Sequence, residues 1–207
     1  QEAEEIRRRA GEEIRRITQE CSSLPGEPVP ELEDLPYTPP GGPWESLLNR
    51  RLRTKCVTAI NRGLRRLLEK DQETVILGED IGDPYGGSFK ATRGLSTDFP
   101  GRVWSTPISE AGFIGLGVGM ALRGMRPVVD LMFGDFITLG FDQILNHAAK
   151  YHWMYAGKVR VPLLIRAPMG GGRGYGATHS QTLEKYFTGI PGLRVAAVSP
   201  LHDPEKL

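Results

Sequence analysis

From residue 74 onward the chain alternates short apolar runs with longer stretches of helical spacing, and this alternation limits the possible folds more than any other feature. The runs TVIL (74–77), RPVVDLM (126–132), VPLLI (161–165) and RVAAV (194–198) show little polar alternation. Strands of that kind are buried on both faces. Between them, residues 109–123, 141–156 and 180–187 read as helices. Strands that take turns with helices build a parallel sheet covered on both sides, so the expectation is an α/β domain of three layers. Ligands of such sheets bind beyond the carboxyl ends of the strands. Glu79, Glu110, the loop 133–136 and His179 all fall at ends of that polarity.

The stretch TPISEAGFIGLGVG (106–119) is the most informative part of that edge. Pro107 ends the β-prone run RVWS (102–105), Ser109 is a good helix N-cap, and Glu110 falls in the first helical turn. A carboxylate there is either a partner of the helix dipole or a chemical tool. Ala111, Gly115 and Gly119 recur every four residues. Glycine costs a helix interior about 1 kcal/mol relative to alanine, so close approach of another helix is the expected compensation. Gly124 is the expected stop.

Residues 1–21 read as a charged amphipathic helix with Ile6, Ala10, Ile14 and Ile17 as a narrow apolar stripe. Glu4/Arg8, Glu5/Arg9 and Glu12/Arg16 are spaced as i,i+4 pairs. Seven of the sixteen prolines lie in residues 22–45, which read as a linker between two functional units. The basic cluster at 50–53 leads into an amphipathic helix over 54–70, whose apolar face is Cys56, Ile60, Leu64, Leu67 and Leu68. A solvated helix face accounts for the cluster, and a net charge of +1 argues against nucleic-acid binding. Cys21 and Cys56 form no spacing motif, which points to reduced thiols inside a cell. No apolar run is long enough for a membrane span, and no targeting peptide is evident.

Residues 169–178 form a glycine-rich loop, with five glycines in the seven residues 170–176. A P-loop would end in Gly-Lys-Ser/Thr, which is absent. Gly172, Gly174 and Ala177 satisfy a G-x-G-x-x-A pattern, but the ribose-binding acid expected about twenty residues later is missing. His179, at the end of this loop, is either a cap of the next helix or a proton-transfer group at the ligand edge.

Five ordered motifs give a resemblance that no single one carries. GEDIGDPYGGSFKATRGL (78–95), TPISEAGFIGLGVGMALRGMRPV (106–128), FDQILNHAAKYHWM (141–154), RGYGATHSQ (173–181) and IPGLRV (190–195) are similar, in this order and spacing, to the β half of the thiamine-diphosphate-dependent 2-oxo acid dehydrogenases. That family includes the decarboxylating components of the pyruvate and branched-chain complexes. The resemblance implies a transketolase-type pyrimidine-binding domain over residues 46–207, without the β half's C-terminal domain. Residues 1–21 resemble the last helix of the α half. The segment 22–45 would then join α to β in one polypeptide.

The same resemblance assigns roles. Glu110 matches the glutamate that hydrogen-bonds the aminopyrimidine ring of the cofactor and promotes its imino tautomer, a task suited to a carboxylate held away from water. Ile108 matches an apolar contact just before it, Phe136 an aromatic that packs on the pyrimidine, and Glu79 an acid near the cofactor. His179 matches the histidine of a His-Ser-Gln motif that serves acyl transfer to a lipoyl group. Backbone oxygens near Leu163 match a potassium site. Magnesium and the diphosphate belong to an acidic motif of the α half that this chain lacks. The implied partners are the α half, a second β copy, the lipoyl-bearing acyltransferase core and a 2-oxo acid. The fragment alone is expected to be inactive. A bacterial cytoplasm is the expected compartment, with the mitochondrial matrix as the alternative. A transketolase-like enzyme acting on sugars, or an assembly module without turnover, are the competing readings. The chain also departs from its relatives: Gly189 stands where they often have histidine, and Ala156 and Ala167 where they often have glycine.

Overall fold

A computed structural model describes residues 2–23, 54–198 and 204. The chain divides into two units, Gln1–Trp44 and Glu45–Leu207. In the first, α1 runs over Glu2–Ser23. Ile6, Ile14 and Ile17 are exposed on it. Arg9 pairs with Glu5 as the spacing predicts, but Arg8 turns to Glu5 and Glu12 rather than Glu4, and Arg16 to Glu13 and Glu20 rather than Glu12. A guanidinium fork satisfies two carboxylates at once, which a simple i,i+4 rule does not anticipate. The expected linker lies outside the described residues except for its first two, and so does the basic cluster at 50–53.

In the second unit α2 spans Cys56–Lys70 and buries Ala59, Leu64 and Leu68. Leu67, expected on the same face, is instead exposed. Four parallel strands follow: β1 Thr74–Glu79, β2 Val103–Thr106, β3 Arg126–Asp130 and β4 Leu164–Arg166. Their order across the sheet is β2-β1-β3-β4. Register places Ile76 beside Val103 and Val128, and Leu77 beside Val129. Because successive strand residues face opposite ways, two cores form. Ile76, Val103 and Val128 pack with Leu64 and Leu68 of α2 and with Leu95. Val75, Leu77, Val129 and Leu131 pack on the other face with Phe113, Ile114 and Met120. These belong to α4, Glu110–Leu122, which follows the single-turn α3, Leu95–Asp98. The three-layer parallel α/β reading describes this arrangement.

Helix α4 ends as anticipated. Gly124 adopts φ +94°, its N–H reaches Ala121 O at 3.0 Å, and Met125 N–H reaches Met120 O at 3.1 Å, the Schellman arrangement that satisfies terminal carbonyls. Within the described unit, no element closes on Gly119 and only the Gln143 side chain comes to 3.4 Å of a Cβ on Gly115. A Cβ on Gly119 would meet nothing within 4 Å, whereas one on Gly117 would come 2.8 Å from Val129 Cγ2 and 3.1 Å from Leu163 Cδ1. The glycine that matters within this unit faces the sheet.

Three expectations fail. The helix predicted over 141–156 is broken into a π-helical segment, Gln143–Ala148, and the single-turn α5, Tyr151–Met154. The π segment is marked by the Ala149 N–H to Ile144 O bond at 3.0 Å, and it turns both residues into the core. Residues 180–187 give only one 3₁₀ turn, Glu184–Tyr186. Leu183 and Phe187, flanking it, enter the core cluster with Phe113 and Ile114, so burial of two anchors fixes this segment and not helical periodicity. Residues 194–198 pair with no strand. Arg194–Val198 apolarity was a burial signal that the described unit does not use, since Val195 and Val198 are exposed.

Candidate active site

All four strands point the same way, so their carboxyl ends share one edge. Across it Thr106 pairs with Glu79, Gly78 with Asp130, and Asp130 with Arg166. Asp130 is only 1% exposed and is met by Arg166 through two parallel bonds, Nε to Oδ2 at 2.5 Å and Nη2 to Oδ1 at 2.6 Å. The same guanidinium reaches Ser88 Oγ at 3.3 Å. This fork-to-fork pair holds the end of β4 to β3 and to the 86–92 loop.

Glu110 opens α4 and is 6% exposed; Glu79 closes β1 and is 5% exposed. Ser109 occupies the N-cap position but makes no side-chain cap bond. Glu79 Oε2 is buried without a partner, as is Thr106 Oγ1 beside it in the register. Burial foremost, and then the charge of Glu110, push the Glu79 carboxyl above its ordinary range, while the Met132 backbone N–H pulls the other way. Two buried carboxyls, one with an unfilled oxygen, suit a ligand that offers an amino N–H to accept and a ring nitrogen with which a carboxyl can share a proton. An aminopyrimidine offers both, and these residues fit it.

After β3 the chain enters a 3₁₀ helix, Gly134–Gly140, which grips the glycine-rich loop. Gly134 N–H donates to Pro168 O at 2.9 Å. The Asp135 carboxylate accepts the Gln181 backbone N–H at 3.1 Å and its side-chain amide at 2.9 Å. Burial opposes ionisation of Asp135, yet these two donors, helped by its own backbone N–H and by His179, hold the carboxyl below its ordinary range. The His179 ring stands edge-on to Phe133 at 4.8 Å and to Phe136 at 5.2 Å. Its Nδ1 lies 2.9 Å from Thr178 Oγ1, which leaves Nε2 as the nitrogen free for chemistry.

Of the residues singled out from sequence, Glu79 and Glu110 are thus brought together, and so are Phe136 and His179. Ile108 lies 78% exposed two residues before Glu110. Leu163 is packed against the core on the sheet side. Among the described residues no group of three or more His, Cys, Asp or Glu side chains converges as a metal site, and no helix is long and apolar enough to cross a membrane. Cys56 carries a free thiol that burial pushes up.

The sequence placed Phe133 and Asp135 only within the 133–136 loop, without roles of their own, and gave no role to Arg173, Phe89 or Tyr175. Phe89, Phe133 and Tyr175 stand in mutual edge contact, and Arg173 lies over all three. The available signals were small: one cation inside a glycine run, and an aromatic after Gly86-Gly87-Ser88.

Residues 54–203 match the family model of the transketolase pyrimidine-binding domain, and the chain belongs to that family. Among curated relatives, the pyruvate dehydrogenase E1 component subunit beta of Leifsonia xyli subsp. xyli is 45% identical over 71% of this chain and 44% of its own length. A chloroplastic beta-3 subunit of the same component from Arabidopsis thaliana is 42% identical over 72% of this chain and 37% of its own. The beta subunit of an acetoin:2,6-dichlorophenolindophenol oxidoreductase from Cupriavidus necator is 40% identical over 72% and 47%. Within the family, the chain is similar to the beta subunits of pyruvate dehydrogenase E1 components and of an acetoin oxidoreductase. It spans less than half the length of these relatives.

Proposed function

We propose that this chain supplies the pyrimidine-binding side of the active site in a 2-oxo acid dehydrogenase that decarboxylates pyruvate or a branched-chain 2-oxo acid and passes the acyl group to a lipoyl arm. The observation that carries this reading is the buried Glu110 at the start of α4, set beside a buried Glu79 that has an unpartnered oxygen. Thiamine diphosphate, when bound, supplies the electron sink that decarboxylation of a 2-oxo acid requires. Glu110 is fixed by the first turn of α4 and offers a carboxyl oxygen for a proton shared with the pyrimidine. The neighbouring charge helps Glu79 keep its own proton, so the pair moves one proton without placing two negative charges side by side. Phe136 gives the pyrimidine an aromatic wall, and Ile108 an apolar contact. His179, with Nδ1 tied to Thr178, presents Nε2 for proton transfer during acylation of the lipoyl group.

On this reading α1 belongs to the α half, and residues 22–45 connect it to the β half over 46–207. Magnesium and the diphosphate are held by the α half, so the fragment alone is inactive. A second β copy and a lipoyl-bearing acyltransferase core complete the assembly. Carbonyl oxygens near Leu163 are candidates for potassium. The compartment is the cytoplasm, or else the mitochondrial matrix. A second substrate, acetoin, is favoured by the similarity to the Cupriavidus subunit.

The test uses the complete parent protein with thiamine diphosphate and magnesium, reading reduction of an artificial electron acceptor. Pyruvate, 2-oxoisovalerate and acetoin are compared in the unmodified enzyme and in Glu110→Gln. Cofactor-dependent turnover that collapses in the variant is expected, and the rate order among substrates assigns the reaction. Equal turnover in the variant removes Glu110 from the mechanism, and a folded, saturated parent with no turnover favours an assembly module.

A further inference from the structure

The glycine-rich loop is costly to order. Gly170, Gly172, Gly174 and Gly176 all have positive φ, between +77° and +91°, and glycine loses more freedom on ordering than any other residue. Arg173, in the middle of this loop, offsets that cost. Its Nη2 donates to Gly170 O at 2.5 Å and to His179 O at 3.3 Å, so one guanidinium clasps the beginning and the end of the loop. Its guanidinium carbon lies 5.0 Å from the Phe89 ring centre and 5.9 Å from those of Phe133 and Tyr175. These distances fall within the range of cation–π attraction.

The cage is itself held with effort. Phe89 adopts φ +56° and Lys90 φ +65°, a left-handed conformation unfavourable for residues with side chains. Four bonds over-determine it: Asn61 Nδ2 to Ala91 O and Arg93 O, Thr92 Oγ1 to Ile81 O, and Arg166 Nη2 to Ser88 Oγ. In this conformation the Phe89 ring faces the Arg173 guanidinium. Phe133 is shared, since it flanks Arg173 and stands against His179.

We propose that Arg173 is a positioning residue for His179: by clasping both ends of the glycine-rich loop onto the Phe89–Phe133–Tyr175 cage, it fixes the imidazole against Phe133 and Phe136. The functional half of this statement rests on the reading of His179 given above. Arg173 is remote from Glu110 in the mechanism, so its loss should separate the two half-reactions.

The test uses the complete holoenzyme carrying Arg173→Leu, Arg173→Lys or His179→Ala. Three quantities are read: 2-oxo-acid-dependent reduction of an artificial acceptor, acylation of a free lipoyl domain, and hydrogen exchange of residues 169–181. Arg173→Leu should keep acceptor reduction within about twofold, lose about tenfold or more in lipoyl acylation, and exchange the loop about tenfold faster. Arg173→Lys keeps the charge over the rings but lacks a fork to span two carbonyls, and should fall between. Unchanged loop exchange overturns the proposal, and so does an equal fall in both half-reactions. If His179→Ala leaves lipoyl acylation intact, the reading of His179 fails, while the exchange measurement still decides whether Arg173 holds the loop.

Discussion

The Asp135 carboxylate takes both the backbone N–H of Gln181, at 3.1 Å, and its side-chain amide, at 2.9 Å. Through this one contact the turn after β3 sets where the His-Ser-Gln segment lies.

Asp135→Ala should therefore free that segment. Removing a buried, ionised acceptor from two donors costs about 1–3 kcal/mol, felt as local opening of residues 170–181 in hydrogen exchange. The Asp135 carboxyl is held below its ordinary range, so its contribution is complete above the unfolded value of 3.8 and is lost as pH falls through the lowered one. Protection factors of residues 170–181, with the intrinsic pH dependence of exchange divided out, should fall toward acid in that window in the unmodified protein, and in Asp135→Ala they should not.

Glu79 titrates with the opposite sign. Burial, and then Glu110, raise it above 4.5, so the folded state holds the proton more tightly than the unfolded one. Its favourable contribution is complete below 4.5 and fades as pH rises through the raised value. Melting temperatures of Glu79→Gln relative to the unmodified protein should climb from acid to neutral pH. A carbon-13 titration should also show the Glu79 carboxyl moving down in Glu110→Gln. Parallel melting profiles would mean that Glu79 is unperturbed.

Helix α4 offers a matched pair of substitutions. Gly117→Ala forces a methyl against Val129 and Leu163 and should destabilise by about 1–3 kcal/mol. Gly119→Ala meets nothing within 4 Å and should stabilise by up to about 1 kcal/mol through helix propensity. Urea unfolding of both variants reads the difference directly.

Ala156 ends α5 as Gly124 ends α4. Its N–H bonds to Trp153 O at 3.0 Å and the Gly157 N–H to His152 O at 2.8 Å, but at φ +48° an alanine is strained. A left-handed residue costs about 1–2 kcal/mol, and glycine returns about 0.4–1 of that by loosening the unfolded chain. Ala156→Gly should gain up to about 1 kcal/mol in thermal or urea unfolding; a loss would show that the strain is relieved locally. Gly189, at φ +92°, is a glycine and is free of this strain.

The sequence by itself determined the layers and the edge. Apolar runs without alternation require strands with two covered faces, and β1 is buried at every position. The order of strands and helices then requires a parallel sheet, which places Glu79, Glu110 and the 133–136 loop at one end. Gly124 marks the end of α4 because its capping bonds are local, whereas Ser109 stands at the N-cap position without making a side-chain cap bond. Tertiary structure alone decided what packs across long separations. The pairing of Asp130 with Arg166 spans 36 residues and that of Asp135 with Gln181 spans 46, and no periodicity encodes either. Residues 180–187 and 194–198 failed for the same reason: apolar spacing reports a need for burial, and only the neighbours available in three dimensions decide whether a helix, a strand or a pair of anchors meets it. That Gly117 of α4 has no room for a side chain against the sheet was settled by the distance to Val129, a quantity that no pattern of small residues contains.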